Sequence, residues 1–149
     1  MKARRRARAL ALQALYEIDS VGHPVEEVLQ ARLEEEPLPE KSVQFARQLV
    51  YGVMAHRDKM DVVIQKLAPE WPLDQMAVID RNILRIAILE FAILHATPVK
   101  VAINEAVELA KMFGSDSAPR FVNGVLGTLV AQGGELTRLL EAGKDGHKT

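Results

Sequence analysis

Residues 76–94, MAVIDRNILRIAILEFAIL, constrain this chain more than any other stretch. From Ile83 onward nearly every position is apolar (Ile83, Leu84, Ile86, Ala87, Ile88, Leu89, Phe91, Ala92, Ile93, Leu94), interrupted by Arg85 and Glu90. A helix apolar on all sides must be enclosed by protein or by lipid. Asp80, Arg81, Asn82, Arg85 and Glu90 keep it well short of the roughly 20 unbroken apolar residues of a membrane span. The stretch is therefore expected to be the central helix of a soluble bundle. Pro72 suits the first turn of such a helix, and Pro98 enforces its end.

The flanking sequence repeats apolar residues at helical spacing. Residues 3–18 place Ala7, Ala11, Ala14, Leu15 and Ile18 on one face and Arg5, Ala9, Gln13 and Tyr16 on the other. A short helix from Val25 to about Glu35 gathers Val25, Val28, Leu29 and Leu33, and Pro37 and Pro39 close it. A longer one from near Ser42 to Leu67 carries Val43, Ala46, Leu49, Val50, Val53 and Met54 inward, with Gly52 permitting close approach or a bend. After Pro98 comes a helix with Val99, Ile103, Ala106, Val107, Ala110 and Phe113 inward, stopped by Gly114 as a C′ residue. Ser117 or Asp116 can cap the next, with Pro119 in its first turn and Phe121, Val122, Val125, Leu126, Leu129 and Val130 along it. Gly133-Gly134 then precedes a last short helix. No stretch alternates with period two. The expected fold is all-α, about six or seven helices, in one domain over residues 1–142 with a frayed tail at 143–149.

Charge is distributed unevenly. The net charge is −1, yet five of the first eight residues are basic (Lys2, Arg4, Arg5, Arg6, Arg8). Between residues 17 and 40 eight acids face one base, Arg32. Basic residues at a helix start oppose the partial positive charge already there. Their presence points to an anionic partner, because a helix N-terminus and arginines together bind phosphate. An Arg-rich amphipathic start also fits a mitochondrial presequence, although Gln13, Glu17 and Asp19 exclude the long apolar core of a secretory signal. The chain has no Cys, which rules out a disulfide framework and a thiolate metal site and is compatible with a reducing compartment.

Catalytic and metal-binding patterns do not emerge. His23, His56, His95 and His147 are scattered, and there is no HExxH, GxSxG or Gly-rich phosphate loop. His56, Asp58 and Asp61 do not converge on one helical face, and Asp80 and Glu90 are too far apart in sequence for a facing carboxylate pair. No enzyme, metal or cofactor is expected. Binding residues are easier to find. The KARRRAR arm can neutralise phosphates, and Tyr16 can stack a base or contact a partner. Arg120, Phe121 and Asn123 combine a phosphate contact, a stacking ring and a base-edge donor and acceptor. Gly124 and Gly127 are expected to allow close packing.

RRRARALALQALYEID, VIDRNILRIAILEF and PVKVAINEAVELAKMFG followed by RFVNGVLG, in this order across nearly the whole chain, resemble the NusB family of bacterial transcription antitermination factors. The resemblance implies two helical sub-bundles around a central apolar helix. It implies a cytoplasmic protein that binds single-stranded boxA RNA of ribosomal RNA operons, with a NusE-type small-subunit protein, in the transcription elongation complex. Carried over, the RNA-binding arm falls on Lys2, Arg4, Arg5, Arg6 and Arg8, and the second RNA-proximal segment on Arg120, Phe121 and Asn123. Partner-binding positions fall on Tyr16 and Asp80, with Arg81 and Arg85 nearby. The SDSAP turn departs from the family's acid-rich, proline-poor form, and its Pro119 bears on the local geometry and on any contact by Ser117. Two rival readings are a pure protein-assembly module, and a NusB-like RNA-binding domain of a ribosomal RNA methyltransferase. A homodimer is compatible with the sequence, which contains no feature that decides it.

Overall fold

The central stretch folds as a helix, but not as one regular helix. The computed structural model describes residues 2–145, with no side-chain account of residues 143–145. Seven α-helices and no strand occur among the described residues: α1 Ala3–Val21, α2 Val25–Glu35, α3 Glu40–Leu67, α4 Val78–Ile88, α5 Val99–Phe113, α6 Ala118–Ala131 and α7 Gly133–Asp145. They sort into two compact units, one ending at Ala55 and the other beginning at His56, so α3 starts in the first and finishes in the second. The all-α expectation holds. Residues 143–145 of the expected tail belong to α7, and 146–149 lie outside the described residues.

In the first unit α1 packs on α2. Ala7, Leu10, Ala11, Leu12, Ala14, Leu15 and Ile18 of α1 are buried, as are Val28 and Leu29 of α2 and Phe45, Ala46, Leu49, Val50 and Val53 of α3. Ala9, expected on the outer face, is buried too. A methyl-sized side chain lets neighbouring protein close over more of the helix than a single stripe. α1 ends at Gly22, whose φ of 77° is the left-handed conformation that glycine adopts without strain, and whose N–H reaches the Ile18 carbonyl.

In the second unit α4 packs against α5 and α6, and α6 against α7. Pro72 does not open α4. It precedes a 3₁₀ turn, Leu73–Gln75, and α4 begins only at Val78. Gln65 pins this connection, its amide donating to the Trp71 carbonyl and its Oε1 accepting from the Leu73 N–H. Ile83, Leu84, Ile86, Ala87, Ile88 and Leu89 are sealed; each large aliphatic side chain so buried contributes about 1.5–3 kcal/mol relative to exposure.

The C-terminal part of the stretch widens into a π-turn, Leu89–Ile93. Its Glu90 is buried and accepts a 2.7 Å hydrogen bond from Thr97 Oγ1, while the Ala96 N–H bonds the Glu90 carbonyl. His95 turns the chain with φ 51° before Pro98 starts α5. Gly114 does follow α5 but is extended (φ −94°), not left-handed. Its requirement is space, since a Cβ there would lie 2.5 Å from the Ala118 Cβ.

Candidate nucleic-acid interface

The basic start of α1 is held in a defined arrangement by its own unit. No acid occupies the first turn, and Lys2 at the N-cap makes no side-chain capping bond. The opening N–H groups and the arginine row therefore add their positive charge at one end of the helix. Arg4 and Arg8, one turn apart, both approach the ring of Phe45, with the guanidinium carbons 4.1 and 5.3 Å from its centroid. Arg4 is exposed, whereas Arg8 is only 4% exposed. Arg6 pairs with Glu36 at 3.5 Å and donates to the Pro37 carbonyl at 3.2 Å. Lys2 is exposed and Arg5 half-buried. The five expected cations are thus not equivalent. Lys2, Arg4 and Arg5 face outward to some degree, Arg6 is tied to the turn after α2, and Arg8 is interior.

Tyr16, further along α1, is 44% exposed. Beside it in sequence, Glu17 accepts from His23 Nδ1 at 2.8 Å and from Arg32 at 3.3 Å, and Arg32 also donates to Gln13. The hydrogen bond to His23, reinforced by Arg32, holds the Glu17 carboxyl below the usual carboxylate range. Tyr51 and Arg47 of α3 both donate to Glu26 of α2, with Tyr51 itself 44% exposed. This second exposed tyrosine was not singled out from the sequence.

In the second unit Arg120, Asn123, Gly124 and Gly127 are all exposed along α6. A Cβ at either glycine would meet nothing within 4 Å. The expectation that they serve close packing inside the chain is therefore corrected: their bare backbone faces outward. Phe121 is half-buried and meets Trp71 edge to face, with ring centroids 6.2 Å apart at 89°. Ser117 occupies the N-cap position of α6 without a side-chain capping bond, and Pro119 sits in the first turn.

Asp80, Arg81 and Arg85 share α4 but do different things. Arg85 is 4% exposed, grips Asp61 with two hydrogen bonds of 2.9 and 2.8 Å, and donates to Asn82 Oδ1. Its role is internal. Asp80 lines a cleft of about 320 Å³ together with Trp71, Pro72, Met76, Ser117 and Phe121. Its Oδ1 is buried without a hydrogen-bond partner, and burial raises the carboxyl above its ordinary value. Arg81 lines a separate groove with Asp61, Val62, Gln65 and Asp74.

Four contributors escaped sequence reasoning: Phe45, Glu36, Trp71 and Asp61. Phe45 falls off the apolar stripe expected for α3, and its service to two arginines depends on how α1 and α3 meet. In sequence Asp61 stands out only beside His56 and Asp58, a spacing that resembles metal ligands. A lone acid one helix away from a basic residue carries no one-dimensional signature of that pairing.

The chain is similar to proteins of one family. The NusB family pattern matches residues 5–131. The transcription antitermination protein NusB of Chloroflexus aggregans is 50% identical over 131 residues, 87% of each chain. That of Bacillus subtilis is 48% identical over 126 residues, covering 85% of this chain and 93% of the other. A crystal structure of antitermination factors NusB and NusE in complex with dsRNA superposes with a TM-score of 0.78 at 26% identity, covering 93% of this chain and 98% of that one.

Proposed function

Because the chain belongs to the NusB family, we propose that it is a non-enzymatic transcription antitermination factor of the bacterial cytoplasm. It binds single-stranded boxA RNA of ribosomal RNA operons together with a NusE-type small-subunit protein, and acts within the transcription elongation complex. The observation that carries this reading is the start of α1, an uncapped helix end lined with arginines and stiffened by Phe45. The neighbour solved as NusB with NusE and dsRNA supports the choice of partners.

Lys2, Arg4 and Arg5 contact phosphates, and Arg6 joins them by exchanging its contacts with Glu36 and Pro37. Arg8 supports from below by holding Phe45. Charge alone does not read sequence, so base-edge contacts are also needed. Arg120 and Asn123 on the open side of α6 supply them, with Phe121 as the adjoining ring. Tyr16 and Asp80 meet the protein partner, and Arg81 flanks Asp80 on α4. Arg85 fixes α4, gripping Asp61 and Asn82.

The test is a binding titration with boxA RNA, a scrambled strand and a boxA duplex, each with and without the NusE-type protein. The expected result is preference for single-stranded boxA and tighter binding when the partner is present. Equal affinity for all three RNAs, unaffected by the partner, would overturn the reading.

A further inference from the structure

We infer that the cleft between Trp71, Phe121 and Asp80 receives the guanidinium of an arginine presented by the protein partner. This rests on the protein-binding half of the proposed function and names the chemistry of that contact.

Three observations converge. Asp80 Oδ1 is a buried carboxylate oxygen with no hydrogen-bond partner, lodged beside Gly114. Asp80 as a whole is half-buried, but a carboxylate oxygen buried without a partner carries a cost, and a cation delivered from outside relieves it. Next, two aromatic rings, Trp71 and Phe121, line the same cleft. A planar guanidinium lies well against aromatic faces while donating to a carboxylate, which a compact, strongly hydrated ammonium does less well. Finally, the surrounding charge has the right sign. Glu70, Asp74 and Asp116, each one residue from a lining residue, are exposed, against Arg120 beside Phe121 and Arg81 beside Asp80. With Asp80 this makes four acids against two bases. The volume of about 320 Å³ suits one planar side-chain head and its first methylenes.

Trp71 is the only tryptophan in the chain, so its emission reports on the cleft. The probes are the NusE-type protein, N-acetyl-arginine amide and boxA RNA, each titrated separately. The protein and the arginine derivative are expected to change Trp71 emission. Asp80→Asn should weaken the protein by about tenfold or more, the size expected for losing one charge-assisted contact, and should abolish the response to the arginine derivative. Should Asp80→Asn fold poorly, the carbon-13 carboxyl titration of Asp80 in the unaltered chain serves instead, and it should move to lower pH when the protein binds.

Unchanged affinity in Asp80→Asn, or an Asp80 titration that ignores the bound protein, overturns the inference and removes Asp80 from the partner contacts, while binding of the NusE-type protein itself stands. A Trp71 response to RNA alone that requires Asp80 overturns it in favour of a base pocket. If the NusE-type protein does not bind the unaltered chain at all, both fall together.

Discussion

The guanidinium of Arg4 lies 4.1 Å from the centre of the Phe45 ring, and Arg8 reaches the same ring from one turn later. One aromatic side chain of α3 therefore orients the cationic end of α1. Exposed and buried arginines of one run thus have separable environments, and in the proposed reading the outer one meets RNA while the inner one fixes the platform.

That division can be tested by salt dependence. A single-stranded RNA that loses one phosphate contact should show a slope of log affinity against log salt shallower by about 0.7. Arg4→Ala is expected to do this for boxA and scrambled RNA alike. Phe45→Leu keeps every charge, so it should weaken binding severalfold with the slope nearly unchanged. Filter binding between low and moderate salt distinguishes the two. Identical slopes in Arg4→Ala and the unaltered chain would remove Arg4 from the phosphate contacts.

Gly124 and Gly127 offer a cleaner separation of stability from binding. Both lie in the interior of α6 with open space where a Cβ would stand. Alanine there should stabilise the helix by about 0.5–1 kcal/mol per site, read as a rise in denaturation midpoint. If the bare backbone admits RNA closely, the same variants lose boxA affinity despite the gain in stability. A stabilised variant with undiminished RNA affinity would show that this side of α6 is not a contact surface.

Arg85 and Asp61 are expected to matter for folding and not for binding as such. The Arg85 side chain is 5% exposed and that of Asp61 28%, so neutralising the acid removes the carboxylate charge that Asp61 places beside a buried guanidinium that keeps its other contacts. A fully buried broken pair costs about 3–5 kcal/mol, and the exposure of Asp61 lowers the expectation for Asp61→Asn to about 2 kcal/mol. Chemical denaturation reads the loss. Partner affinity of the folded fraction should be unchanged.

Much of the architecture was legible because it depends on local signals. α2 runs from Val25 to Glu35, as its apolar spacing and flanking prolines imply, and α5 begins directly after Pro98. The π-turn at Leu89–Ile93 was not legible, since it adds only about one residue to a single turn of an otherwise regular apolar stretch. That widening accompanies the buried contact between Glu90 and Thr97 across a loop. The start of α4 was misplaced because Pro72 fits the first turn of a 3₁₀ segment as well as that of an α-helix. In the candidate site, residue types drew attention to Arg4, Tyr16, Arg120 and Asn123, all of which are exposed. Residue types could not tell Arg8 from Arg4, or Arg85 from Arg81, because burial is decided by which helix lies opposite.

The Asp80 carboxyl gives the chain a stability that depends on pH in a calculable direction. Burial raises it above the ordinary value of 3.8, so the folded state holds its proton more tightly than the unfolded chain. Below pH 3.8 the group is protonated in both states and carries no penalty. As pH rises from there through the folded value, the unfolded chain releases its proton first and gains stability relative to the fold. Asp80→Asn cannot ionise, so it should be more stable than the unaltered chain near neutrality and no more stable in acid. Thermal denaturation of both proteins from pH 3 to pH 7 measures the crossover. Curves that stay parallel over that range would mean that Asp80 finds a partner within its own fold. A widening gap would mark Asp80 as a residue whose ionised form is tolerated at a cost to stability, the condition expected of a carboxylate kept for an outside ligand.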